Sequence, residues 1–173
     1  MTDPYPVVLR EFTPADAPFL LGWIAGPGEL LTWAGPTFNW PLDDRQLQAY
    51  VDETAKGARR TWTAADPTTY EPLGHASLRL SGDGTARLGR VLVAPQARGR
   101  GIASMMLPEI LAHAFGPLGL LSLNLGVYEH NAGALGIYER LGFTTYEVLK
   151  DVEHVDGVPW TALQMRLSSK DWR

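Results

Sequence analysis

The segment from Arg90 to Ala103 constrains the fold most. A β-rich run, Arg90-Val-Leu-Val-Ala94, is halted by Pro95, and Gln96-Ala-Arg-Gly-Arg-Gly101 then opens an apolar stretch starting at Ile102-Ala103. A strand feeding a helix through a tight glycine turn implies a crossover to a parallel neighbour, and so an α/β arrangement. Gly99 and Gly101 permit positive φ and close backbone approach to a ligand. A helix starting there would present unpaired N–H groups and the positive end of its dipole. Arg98 and Arg100 add formal charge, which completes a cradle suited to a pyrophosphate. Two familiar phosphate motifs do not fit. A dinucleotide fingerprint needs a third glycine where Ser104 stands, and a P-loop needs Gly-Lys-Ser/Thr, which none of the three lysines supplies. Taken alone, the segment is more simply a glycine-rich turn without a ligand.

The charge distribution supports the ligand reading. The formal net charge is −4, yet no acid lies between Asp83 and Glu109, a stretch that holds Arg87, Arg90, Arg98 and Arg100. Overall acidity argues against a nucleic-acid or anionic-membrane partner. A local arginine island suits one polyanionic small ligand, although a solvated basic face is the plainer reading of the count. The absence of cysteine excludes a thiol nucleophile, a disulfide framework and thiolate zinc sites. The four histidines lack ligand spacing, so no metal is expected, and no Gly-x-Ser-x-Gly occurs. No apolar run approaches the ~20 residues of a membrane span. The first ten residues lack the pattern of a secretory signal, so a cytoplasmic protein is expected. A chain of 173 residues is expected to form one domain, 1–173.

Patterning predicts seven strands and about four helices. Strands are expected at Tyr5–Phe12, Thr61–Ala65, Leu73–Leu80, Ala86–Val93, Leu120–Val127, Phe143–Glu153 and Trp160–Leu167. Thr13-Pro14-Ala15-Asp16 has the form of a capping box opening a helix that stops at Gly26-Pro27-Gly28. Glu29 to Pro41 is aromatic-rich but broken by Gly and Pro. Further helices are expected from Leu42 to about Lys56, Gly99 to Phe115 and Asn131 to Leu141. Pro108 conflicts with the second of these three, which should kink near Ser104 or end early. The result is a mixed, largely antiparallel seven-stranded sheet with one parallel pairing.

A second motif lies nearer the C-terminus: Asn131-Ala-Gly-Ala134-x-x-x-Tyr138-Glu-Arg-Leu-Gly142-Phe143. Asn131 is a good N-cap, Tyr138 lies two turns along the same face, and Gly142 sits where a left-handed C-cap glycine belongs. By itself this describes a capped amphipathic helix. In combination with Gln96-x-x-Gly99-x-Gly101, the chain from about Val8 to Leu167 resembles the GNAT N-acetyltransferase superfamily. The opening Val8-Leu-Arg-Glu-Phe-Thr-Pro-x-Asp-Ala17 is similar to the branch that includes ribosomal-protein N-terminal acetyltransferases.

The resemblance implies the acyl-coenzyme-A N-acyltransferase fold, and direct transfer of acetyl from acetyl-coenzyme A to a primary amine through a tetrahedral intermediate. A non-catalytic coenzyme-A-binding regulatory module is the alternative. The resemblance further implies Tyr138 as the acid that protonates the departing thiolate. Leu92, Val93, Arg98, Gly99, Arg100, Gly101, Ile102, Ala103 and Asn131 would contact the coenzyme. Trp33, Phe38 and Trp40 would wall the acceptor site, or else form a satellite core. Many relatives carry a glutamate on the strand before the loop, whereas Arg87-Leu-Gly-Arg90-Val-Leu-Val has none. Glu29, His75, Glu129, His130 or a water chain remain open as the base. Relatives often dimerise, and association through the C-terminal strands is an expectation of the same kind.

Overall fold

The computed structural model describes residues 5–173. Seven strands form one sheet: β1 (Val8–Glu11), β2 (Arg59–Ala65), β3 (Pro72–Leu80), β4 (Thr85–Val93), β5 (Ser122–Tyr128), β6 (Thr144–Val155) and β7 (Val158–Ser168). The spatial order is β1-β2-β3-β4-β5-β7-β6. Every neighbouring pair is antiparallel except β4–β5, the parallel pair expected from the crossover. Five helices accompany the sheet: α1 (Ala17–Trp23), α2 (Pro27–Ala34), α3 (Asp44–Ala55), α4 (Ile102–Phe115) and α5 (Ala132–Arg140).

The additional helix is α2. Gly26-Pro27-Gly28 ends α1, but Pro27 also occupies the first turn of a new helix, where its missing N–H costs nothing. Leu30 and Trp33 are the buried residues of this short helix. The start of α4 lies three residues beyond the predicted Gly99. Gly99 (φ 76°) and Gly101 (φ 77°) are left-handed, so helical dihedrals begin only at Ile102. Pro108 neither ends nor shortens α4, which continues to Phe115. Burial of Met106, Leu107, Ile110 and Leu111 offsets the missing backbone bond.

α4 packs on β3 and β4, and Gly74 of β3 makes room for it. A Cβ there would lie 3.1 Å from Cγ2 of Ile102. At the N-terminal end, Asp16 is buried and accepts from Arg10 (2.8 Å), the Thr13 N–H (2.9 Å) and the Thr63 hydroxyl (3.0 Å). Burial opposes its charge, but these hydrogen bonds outweigh it and hold the carboxyl below its ordinary pKa. Asp16 thereby ties β1, the turn before α1 and β2 together.

Two irregularities of β4 shape the space beside it. Its ladder with β5 joins only Thr85–Arg87 to Ser122–Asn124. Beyond Arg87 the two parallel strands separate and leave one edge of β4 without a partner strand. Arg90 has φ 54°, at a register shift between β3 and β4. Such a bulge bends the strand and re-aims its side chains.

Candidate active site

The separation of β4 from β5 leaves two cavities, and both are lined by Thr32 and Trp33 of α2. The first, of about 590 Å³, lies among the distal half of β4, the start of α4, and α5. Its walls include Leu92, Val93, Arg98, Ala103, Asn131 and Tyr138. Residues distant in sequence, from the strand, the glycine loop and the second motif, thus share one space. The second cavity, of about 400 Å³, lies against Leu88–Arg90 of β4, Gly126–Tyr128 of β5 and the β6–β7 hairpin.

Local sequence explains each placement in the first cavity. The Asn131 side chain accepts from the Ala134 N–H at 3.4 Å and caps α5. Gly142 (φ 99°) ends that helix, and the Phe143 N–H donates to the Tyr138 carbonyl at 3.0 Å. Phe143 then meets the Tyr138 ring edge-on, with centroids 6.0 Å apart. Tyr138 is buried, and that desolvation raises its pKa above the ordinary phenol value. The group therefore stays protonated across the neutral range.

The glycine loop divides its arginines. Arg98 lines the first cavity, and its Nε donates to the Val93 carbonyl at 3.4 Å. Arg100 turns instead onto the ring of Tyr5, 3.8 Å from the centroid. Ile102 is buried in the core, while Gly99 and Gly101 shape the turn.

The aromatic segment divides as well. The Trp33 Nε1–H donates to the Arg90 carbonyl at 2.9 Å, and its ring stacks on Phe38 at 5.6 Å. Phe38 lines neither cavity and instead carries the Arg90 guanidinium 4.7 Å from its centroid. Trp40 is exposed and lines neither cavity.

Of the base candidates, Glu29 and His130 line the first cavity. The Glu29 carboxylate also accepts from the Ala25 N–H at 3.0 Å. His130 lies against Trp160, with ring centroids 4.3 Å apart. Glu129 lines neither cavity. His75 is fully buried, bonded to the Tyr50 hydroxyl at 2.8 Å, and outside both cavities. Desolvation, helped by the Arg90 charge, lowers its pKa to about 3, so it is a neutral core group. Sequence reasoning misses Glu153 of β6, which lines the second cavity together with Tyr128. No motif marks it, because only the strand separation brings β6 near β4. Among the described residues no cluster of three or more His, Asp or Glu is arranged to hold a metal. None of their helices is long and apolar enough to cross a membrane.

A parallel pair separates beside a glycine loop, and a capped helix carries a buried tyrosine across from it. The sequence profile of the Acetyltransferase (GNAT) family matches residues 28–143. The chain belongs to that family. By that membership it is a GNAT-type N-acetyltransferase. Its fold is similar to that of a spermidine N-acetyltransferase from Vibrio cholerae in complex with CoA and spermine. The identity is 20%, the TM-score 0.81, and the match covers 95% of this chain and 96% of that one. It is also similar to a ribosomal-protein-alanine N-acetyltransferase from Brucella melitensis (22% identity, TM-score 0.78, 93% and 99% covered).

Proposed function

We propose that this GNAT enzyme, acting in the cytoplasm as one domain spanning 1–173, takes acetyl-coenzyme A as donor. The acceptor is a primary amine, of a small molecule or a peptide N-terminus, and the transfer is direct. The observation that carries this reading is the buried Tyr138 lining a cavity bounded by the unpaired edge of β4.

The residues present fit an acyl-coenzyme-A. Val91, Val93, Leu107, Ala134 and Ile137 give the first cavity apolar walls suited to a pantetheine arm. The glycine turn, the first N–H groups of α4 and the cavity-lining Arg98 would receive the pyrophosphate. Backbone groups of Leu92 and Val93, on an edge not used by β5, can bond the arm and polarise a thioester carbonyl. Asn131 closes the wall opposite.

Within that frame each residue has one task. The cofactor supplies an activated acetyl group. The Tyr138 hydroxyl would donate its proton to the leaving sulfur, so that a neutral thiol rather than a thiolate would depart. The amine enters beside Trp33, where the two cavities adjoin, and loses its proton to Glu29, His130 or ordered water. A non-catalytic coenzyme-binding module would leave the buried, cavity-facing phenol of Tyr138 without a task.

Isothermal titration with acetyl-coenzyme A, followed by thiol release across an amine and peptide panel, tests the reading. Binding with amine-dependent thiol release supports it, and no binding overturns it. Association of two copies through the C-terminal strands is a separate proposal, which sedimentation velocity decides.

A further inference from the structure

The second cavity carries charge that the protein itself does not balance. Arg59, Arg79, Arg87 and Arg90 line it, against one lining carboxylate, Glu153. Three of these arginines stand directly opposite one another across three strands. Arg59 pairs with Arg79 between β2 and β3, and Arg79 with Arg87 between β3 and β4. Directly opposed residues share a sheet face, and like charges so placed repel.

Arg59 is accounted for. Its guanidinium pairs with Glu53 at 2.9 Å and donates to the Ser77 hydroxyl at 3.1 Å. The other cations are not. Among the described residues, no carboxylate lies within 4.0 Å of Arg79, Arg87 or Arg90.

Arg90 is the sharpest case. Its guanidinium lies 4.7 Å from the Phe38 centroid and 4.3 Å from that of Tyr50, so aromatic faces hold it in place. Its Nη1 is buried and has no hydrogen-bond partner. A buried donor on a cation is costly when unmatched, and a bound oxyanion is the chemistry that matches it.

Arg87 is held differently. Both of its Nη atoms lie 3.2 Å from Oε1 of Gln164, a neutral acceptor that orients the group without discharging it. The side chain crosses Gly126 of β5 so closely that a Cβ there would lie 2.6 Å from Nη2. Gly126 therefore leaves the space that Arg87 occupies.

We propose that the acceptor is a small primary amine bearing an oxyanion, a carboxylate or a phosphate, which Arg87 and Arg90 bind in this cavity. The inference rests on the acetyl-transfer reading and narrows its acceptor. Since Trp33 lines both cavities, an amine anchored by its anionic end in the second can present its nitrogen to the first. Spermine, which the Vibrio cholerae enzyme holds, is a polycation, and four arginines would repel it.

The test uses matched pairs with the wild-type protein: an amino acid against its decarboxylated amine, and an aminoalkyl phosphate against its amino alcohol. The two series separate carboxylate from phosphate, and spermine serves as the cationic comparison. The anionic member of at least one pair should show a kcat/KM at least about tenfold higher, the size of one charge-assisted hydrogen-bond pair. That preference ratio should fall by a similar factor in Arg87→Gln and in Gly126→Ala. Arg90→Gln repeats the test if it folds. Because a ratio is read, partial loss of folded enzyme does not mimic the effect.

Equal rates within both pairs, or preference for the neutral amines or spermine, overturn the inference while leaving acetyl transfer intact. If acetyl-coenzyme A does not bind, the underlying reading fails and the inference falls with it. If it binds but no pair is turned over, titration of each pair into the coenzyme-A complex decides. Tighter binding of an anionic member sustains the inference, and equal binding overturns it.

Discussion

The indole N–H of Trp33 donates to the backbone carbonyl of Arg90 at 2.9 Å, and this bond links α2 to the bulge in β4. Arg90 has a left-handed backbone there, and Trp33 lines both cavities. One bond thus fixes the partition between the proposed donor and acceptor spaces. Trp33→Phe keeps a ring able to stack on Phe38 but removes the donor. Stability should fall by about 1–3 kcal/mol, since the part-buried carbonyl loses its partner and some packing is lost. Urea unfolding measures that loss. The KM for the amine should rise more than the KM for acetyl-coenzyme A, and equal changes would show that Trp33 only supports the fold.

Tyr138→Phe removes one oxygen and leaves the edge contact with Phe143 available. If the phenol protonates the departing sulfur, kcat should drop by about 10²–10⁴-fold while acetyl-coenzyme A binding is retained. Unchanged turnover would remove Tyr138 from the chemistry. The pH dependence has a definite sign. Burial raises the folded phenol above its unfolded value of ~10, so the folded state holds this proton more tightly. Its contribution to stability is complete below pH ~10 and is lost as pH rises from there towards the folded value. Alkaline unfolding monitored above pH ~10 should be less steep in Tyr138→Phe than in wild type.

His75 predicts the acid limb. Its pKa is lowered to about 3 by burial and by Arg90, whereas an unfolded histidine titrates near ~6.5. The unfolded state therefore binds the extra proton first. The stability of the neutral core histidine is complete above pH ~6.5 and is lost as pH falls towards its folded value, by at most ~1.4 kcal/mol per pH unit. His75→Gln keeps a group able to bond the Tyr50 hydroxyl and does not titrate. Denaturant midpoints between about pH 7 and pH 4, roughly the range where only the unfolded His charges, should flatten in this variant. A slope equal to wild type would assign acid lability elsewhere, with Asp16 and its Arg10 partner the next group to test.

Much of this architecture was legible in the residues because it depends on local rules. Pro95, the Asn131 cap and Gly142 each mark an element boundary through backbone preference. α2 was not legible, because Gly26-Pro27-Gly28 serves as both a terminator and a helix start, and sequence alone shows only the break. The site divides along the same line. Arg98, Asn131 and Tyr138 lie in contiguous motifs and meet in one cavity. The proposed acceptor cavity draws on Arg59, Arg79, Arg87, Gly126 and Glu153, one from each of five strands. Only the register Arg59–Arg79–Arg87 and the separation of β4 from β5 bring these together, and neither is written in local spacing. Of the acid-free arginine stretch, which suggested one polyanionic ligand, Arg98 lines the first cavity, Arg87 and Arg90 line the second, and Arg100 lines neither.

That split makes the two loop arginines distinguishable. Arg98 lines the first cavity, while Arg100 stacks on Tyr5, whose hydroxyl donates to Asp66. An arginine on a pyrophosphate makes charge-assisted hydrogen bonds, and its loss should weaken binding by about tenfold. Arg98→Ala should therefore raise the Kd for acetyl-coenzyme A by about that factor and leave the melting temperature within a degree or two, on the order expected for an exposed side chain. Arg100→Ala should do the reverse. With the cation–π contact to Tyr5 gone, the N-terminal segment should gain protease sensitivity, while the Kd changes by less than about threefold, under ~0.7 kcal/mol. Titration calorimetry and limited proteolysis on both variants give the comparison. If Arg100→Ala instead shows the larger rise in Kd, the guanidinium swings from Tyr5 to the phosphates on binding, and the loop closes over the coenzyme.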